Sequence, residues 1–192
     1  LSFLQIYNDV VTDLLAPGPQ PERGLAIRQD AQGFFVDGVC TSEVSTLSEA
    51  VALVNAGLAS RVVAPTLMNR TSSRSHTLLF LTLPEHSPPA SLALVDLAGS
   101  ERIKRSCSDG ARLAEARSIN QSLSALGNVI SALAHNSRRH AAGPTDEPQS
   151  ATSRHVPFRD SALTKLLAGC LVGGARTCLI ATVSPELGSV PE

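Results

Sequence analysis

A chain of 192 residues with 43% hydrophobic side chains is long enough to bury a sizeable core, and with no Trp, one Tyr and five Phe that core is aliphatic. The net charge of -1 hides an uneven distribution: residues 1–100 hold 5 arginines against 9 acids, residues 101–192 hold 11 bases against 8 acids, and 11 bases with only 5 acids lie between Arg102 and Arg176. A basic stretch of that kind suits an acidic partner or a plain solvated surface. The composition excludes a disordered chain, no apolar run reaches the ~18 residues of a membrane helix, and four cysteines without a CxxC pair indicate neither a zinc site nor a disulfide framework.

The chain opens with Leu rather than Met, and "LSFLQIY" reads as a strand already under way, so the sequence is expected to begin inside an element of a larger protein. "NDVVTDLLAP" is expected to continue as a short amphipathic helix stopped by Pro17 and the loop "PGPQPERG". Short strands are predicted around "LAIRQD" and "FFVDGV", separated by Gly33. In "TLSEAVALVNAG", Leu47, Val51, Val54 and Leu58 follow helical spacing, Thr46 and Glu49 form a capping box, and Gly57 falls near the expected helix end.

The stretch "NRTSSRSH", residues 69–76, gathers three serines, a threonine, two arginines and a histidine between apolar segments. Compact hydroxyls beside fixed positive charge suit a phosphate and its metal, and they suit an ordinary solvated turn equally well. Two unbroken apolar runs follow, "TLLFLTL" and "SLALVDL", as expected for parallel strands covered on both faces by helices. The second leads into "LVDLAGSE", residues 94–101, where Asp96 ends a strand and Gly99 offers a backbone N–H at the edge at which open α/β sheets bind ligands. Alone, such a turn is more often structural.

Farther on, Ile119, Leu123, Leu126, Ile130 and Leu133 place an apolar stripe on a long helix, with Asn120, Gln121, Ser124, Asn128 and Ser131 on its other faces. A mobile insertion is expected over 136–154, rich in Pro, Ser, Ala and Thr. Asp160 is positioned to cap a helix carrying Leu163, Leu166, Leu167, Cys170 and Leu171, ended by Gly173 and Gly174, and "TCLIATV" reads as a last strand.

Taken together, N-x-x-S-S-R-S-H followed by D-x-x-G-x-E resembles the switch I and switch II elements of kinesin motor domains, and the likeness continues through "SINQSLSALGNVISALA" and "HVPFRDSALTKLL" to about residue 186. Myosin carries a related serine-serine-arginine switch without the histidine. The resemblance implies an α/β, three-layer P-loop NTPase head, incomplete here, with a central sheet flanked by helices. It implies switch I at 69–76, switch II at 96–101 and a microtubule-facing region at 102–167.

The roles it implies can be carried over residue by residue. Ser73 and Asp96 would hold Mg2+, directly or through water, beside ATP or ADP, because a hard cation takes small oxygen donors. Ser72 would hold the attacking water, Asn69 and the Gly99 amide would sense the phosphate, and Arg74 and Glu101 would close as an ion pair between the switches. Thr71, Ser75 and Arg70 are as well suited to capping the loop, and His76 reads as a packed or hydrogen-bonded residue rather than a base or ligand. Arg102, Lys104, Arg105, Arg159 and Lys165 would face acidic tubulin, with Arg138 and Arg139 adding steering from the insertion. Gln121, where many relatives are basic, and Ala162, where lysine is usual, point to weakened track affinity, while Phe158 for tyrosine is mild.

The implied partners are microtubules, with no nucleic acid and no membrane insertion. The implied location is the cytoplasmic cytoskeleton, with oligomerisation through coiled coil outside these residues. No G-x-x-x-x-G-K-[ST] occurs in the sequence, so the phosphate-cradling loop of the class is expected upstream and these residues alone are expected to be inactive. A noncatalytic product of the same family that binds microtubules or partners is the alternative. A GTPase is disfavoured by the lack of an N-K-x-D motif.

Overall fold

Asn8 and Asp9 both take positive φ, 51° and 62°. This is the geometry of the two-residue hairpin turn that matches the twist of its strands, and Asn and Asp tolerate it best among non-glycine residues. The opening segment therefore doubles back as β1 (Ser2–Tyr7) and β2 (Val10–Asp13), paired antiparallel with Tyr7 opposite Val10. The expected short helix does not form: Val10, Val11 and Thr12 are β-branched, and the turn returns them to the edge of β1.

The computed structural model describes residues 1–62, 74–85, 90–99, 110–141 and 153–182. After β2 come β3 (Ile27–Asp30) and β4 (Gly33–Val36), a separate hairpin at the expected place. Asp30 Oδ1 accepts from the amides of Gln32 and Gly33 to hold its turn. Then follow α1 (Leu47–Val62), β5 (His76–Leu83), β6 (Ala90–Asp96), α2 (Gly110–Ala141), a 3-10 turn over Phe158–Asp160 and α3 (Ala162–Leu171).

The main sheet has the order β2-β1-β5-β6, and each described pairing is antiparallel rather than parallel. Side-chain alternation divides its core into two layers. Leu4, Ile6, Leu78 and Phe80 face α3 and join Leu163, Leu167 and Leu126, whereas Leu1, Phe3, Leu79 and Leu81 face α1 and join Ala50, Leu53 and Val54. Helices thus cover both faces of β1 and β5, the three-layer arrangement expected from the apolar run of β5. Strand β6 departs from it, since Leu92 and Leu94 remain about half exposed among the described residues.

The capping box of α1 forms as read: Thr46 Oγ1 accepts from the Glu49 amide at 3.2 Å, and Glu49 Oε2 accepts from the amides of Ser45 and Thr46. Those two amides hold the Glu49 carboxyl below its ordinary range. The buried face of the helix differs from the expected one. Leu47 is 81% exposed, and Val51 and Leu58 are also exposed, while Ala50, Leu53, Val54 and Gly57 turn inward. Gly57 lies inside α1 rather than at its end, because only a residue without Cβ fits against Phe3.

In α2 the buried face is Ile119, Ser122, Ala125, Val129 and Ala132, one step round from the expected stripe, with Ile130 exposed. The helix runs on to Ala141, so the first six positions of the expected insertion are helical and 142–152 lie outside the described residues. Asn136 holds the backbone of Arg154 with two bonds of 2.9 Å, its side-chain amide donating to the carbonyl and its oxygen accepting the N–H. The cap of α3 is Ser161 rather than Asp160, through a reciprocal box with Thr164. The expected final strand does not form over 177–182, where Leu179 and Ile180 are more than 80% exposed and have no strand beside them among the described residues. No described helix is long and apolar enough to cross a membrane.

Candidate functional site at the end of β5 and β6

Strand β5 pairs with β6 in a register that sets Thr77 opposite Asp96. The segment entering β5, Arg74–His76, therefore lies at the same end of the sheet as the segment leaving β6, Asp96–Gly99. Both carry the polar and glycine residues singled out in the sequence, and two antiparallel neighbours necessarily bring them together. Arg74 is half-buried at this junction, Asp96 is exposed at the end of its strand, and Gly99 is half-buried in the following turn.

The two segments are joined through a buried imidazole. His76 is 3% exposed, and its Nδ1 accepts the amide N–H of Ala98 at 3.0 Å. A backbone amide can only donate, so Nδ1 is unprotonated and the ring proton of the neutral imidazole resides on Nε2. Nε2 stands 2.8 Å from the Ser122 hydroxyl and donates to it, and that hydroxyl in turn donates a hydrogen bond to the Ile119 carbonyl at 2.8 Å. Burial pushes the His76 pKa below its ordinary value, while the negative charges of Asp9 and Asp96 act in the opposite direction. With both ring nitrogens engaged, His76 is a hydrogen-bonded junction between the two segments and α2, the packed or hydrogen-bonded residue read from the sequence.

Beside Ser122 a small polar cleft of about 40 Å³ is lined by Asp9, Ser118, Gln121, Asp160 and Ser161. It takes water rather than a nucleotide. Asp9 also accepts from the Ala162 amide at 2.7 Å, which bolts the β1–β2 turn to the start of α3.

A model of the kinesin motor domain matches residues 1–192. The chain belongs to the kinesin motor domain family. It is 39% identical over its whole length to kinesin-related protein 5 of Dictyostelium discoideum, spanning 18% of that protein, and 43% identical over 96% of its length to the kinesin-like protein KIF15 of Strongylocentrotus purpuratus, spanning 12%. Among solved structures it resembles the KIF14 dimer in a two-heads-bound state with AMP-PNP in complex with a microtubule, at 36% identity and a TM-score of 0.74, covering 96% of this chain and 51% of that one. It also resembles a kinesin 6 structure at 34% identity and a TM-score of 0.68, covering 88% and 46%. The layered sheet and helices are those of an incomplete α/β kinesin head.

Within this kinesin domain, Asn69, Ser72, Ser73, Glu101, Arg102, Lys104 and Arg105 lie outside the described residues. For magnesium, the fitting donor among the described residues is the exposed Asp96 carboxylate, a hard oxygen ligand of the type that cation takes through water. No cluster of three or more His, Cys, Asp or Glu occurs among the described residues. Of the basic residues, Arg159 is exposed in the turn before α3, with its Nη2 donating to Gln29 of β3 at 2.8 Å. Lys165 is half-buried on α3, Arg138 is exposed on α2, and Arg139 falls in the last turn of α2 with its side chain outside the described residues. These positions surround the α2–α3 layer, on the face of the sheet opposite α1.

Sequence reasoning missed Ser122 and the Ala98 amide. Ser122 carried a faint signal, a polar residue three positions after Ile119 on what proves to be the buried face of α2. The Ala98 amide carried none, because a backbone group has no signature in sequence.

Proposed function

We propose that this domain is the later part of a motor head in which ATP hydrolysis is coupled to microtubule binding. Support comes from the membership of the whole chain in the kinesin motor domain family and from the meeting of Arg74–His76 with Asp96–Gly99 at one sheet end. A structural relative bearing AMP-PNP on a microtubule agrees with it. In this reading Ser73 and Asp96 hold Mg2+, and Asn69 and the Gly99 amide face the terminal phosphate. Bound magnesium neutralises phosphate charge. Ser72 orients the attacking water, and Arg74 pairs with Glu101 to fix that water between the two segments. Arg102, Lys104, Arg105, Arg159 and Lys165, with Arg138 and Arg139 nearby, meet the acidic microtubule surface, which places the protein on the cytoplasmic cytoskeleton.

These 192 residues contain no G-x-x-x-x-G-K-[ST], so by themselves they are expected to be inactive as an ATPase. The test therefore uses the full-length protein. Breaking a buried ion pair costs roughly 3–5 kcal/mol, and at a half-buried arginine a smaller loss of about tenfold to a hundredfold in turnover is expected. Arg74→Ala and Glu101→Ala should each lower microtubule-stimulated ATPase by that amount, with partial recovery in the charge-exchanged Arg74→Glu/Glu101→Arg protein. Wild-type turnover in both single variants would refute the assignment.

A further inference from the structure

We infer that His76 is a positioning residue that ties the Asp96–Gly99 turn to α2, so that neither can shift without breaking a buried hydrogen bond. Three elements meet at one ring: the start of β5 supplies the imidazole, the turn after β6 supplies the Ala98 amide, and α2 supplies the Ser122 hydroxyl. His76, Ala98 and Ser122 are all at most 4% exposed, so no solvent replaces a lost partner. Polarity runs one way through the junction, from Ala98 N–H to Nδ1, then from Nε2–H to Ser122, then from Ser122 to the Ile119 carbonyl. Each N–H and O–H donor in this series has a partner, and the series ends on the helix backbone.

The geometry is selective. A neutral imidazole accepts at one ring nitrogen and donates at the other, as the Ala98 amide on one side and the Ser122 hydroxyl on the other require. Asparagine reproduces the accepting atom near the backbone but not the donor that reaches Ser122. Leucine fills the volume and reproduces neither. Ser122 is replaceable by alanine at the cost of the α2 half of the tie, leaving the Ala98 half intact.

The inference rests on the proposed motor reading for its functional consequence: α2 bears the track-facing layer and Asp96–Gly99 the nucleotide-facing turn, so His76 carries displacement from one to the other. Its structural half stands independently. In the histidine-selectively 15N-labelled full-length protein at neutral pH, His76 should show a protonated Nε2 and an unprotonated Nδ1. Amide exchange at Ala98 should be slow in the wild type and in His76→Asn, and faster by about tenfold or more in His76→Leu. Exchange in Ser122→Ala should stay slow at Ala98. In ATPase assays, His76→Leu should lower microtubule-stimulated kcat by about tenfold with KM for ATP within about twofold, and His76→Asn should recover part of the loss.

An Nδ1-protonated ring, or wild-type exchange at Ala98 in His76→Leu, would overturn the tie. If His76→Leu fails to fold, the ring tautomer and the His76→Asn and Ser122→Ala exchange data decide the question. Wild-type protein without ATPase activity would defeat the motor reading while leaving the exchange result to stand. Normal exchange behaviour with unaltered kcat in His76→Leu would defeat the coupling alone.

Discussion

Gly57 sits in the middle of α1, and replacing it with alanine sets two effects against each other. Alanine favours a helix over glycine by about 1 kcal/mol. A Cβ at this position would lie 2.6 Å from Cδ1 and 3.0 Å from Cε1 of Phe3, and 3.3 Å from Cβ of Leu14. Contacts below 3.0 Å force something to move, and Phe3 has little room: it is 4% exposed and its strand is fixed by pairing with Leu79. Overpacking of this sort costs about 1–3 kcal/mol, and with the Phe3 ring fixed the upper half of that range applies, so the clash should exceed the helix gain and leave Gly57→Ala destabilised by about 1–2 kcal/mol. Gly127 is the control, a helical glycine in α2 with nothing within 4 Å of an added Cβ. There the helix term acts unopposed, and Gly127→Ala should stabilise by about 0.5–1 kcal/mol. In urea unfolding with a slope of about 2 kcal/mol/M, the midpoint should fall by about 0.5–1 M in the first variant and rise by about 0.2–0.5 M in the second. Midpoint shifts of the same sign in both would refute the reasoning that Phe3 cannot yield.

Asp13, 4% exposed, accepts the Leu15 amide at 2.8 Å and the Cys40 amide at 2.6 Å, so Asp13→Ala orphans two donors and should cost roughly 2–4 kcal/mol in chemical denaturation, with Asp13→Asn milder. The His76 pKa is depressed in the fold, so below the ordinary imidazole value the unfolded chain binds a proton that the folded chain does not. Unfolding free energy should therefore fall as pH drops from that value toward the folded one, and in His76→Asn this part of the slope should vanish, as measured by urea titrations between pH 5 and 8. For the full-length protein, Lys165→Ala and Arg159→Ala should each weaken microtubule co-sedimentation at low salt by a few-fold, with the difference shrinking as the screening length shortens toward about 8 Å. Salt-independent binding would count against an electrostatic track face.

Much of the architecture was written in local pattern. Thr46 and Glu49 announced the start of α1, and the two apolar runs became β5 and β6, because capping and strand-length apolar runs leave marks within a few residues, although only β5 is covered on both faces. The hairpin at Asn8–Asp9 was misread because Val10, Val11, Leu14 and Leu15 also satisfy a helical spacing. The positive φ pair that decides the matter is a property of the turn. Helix α1 was rotated in the reading for a related reason: Ala50 and Gly57 are small, and close packing selects small residues that a search for large apolar ones passes over. The run 177–182 had strand composition but finds no pairing partner among the described residues, and composition alone cannot supply one. At the candidate site, the motifs single out Arg74 and Asp96, and the β5–β6 register sets them at one end of the sheet. Their junction was not legible, since His76 and Ser122 are 46 positions apart and only the fold brings them into contact.

The paired bonds between Asn136 and Arg154 bridge positions eighteen apart in the chain. Closing a longer excursion between two such anchors costs only about 0.6 kcal/mol for each doubling of its length. A reporter peptide spliced between residues 142 and 152 should leave the packing of α2 against α3 intact, which an unchanged urea midpoint would show.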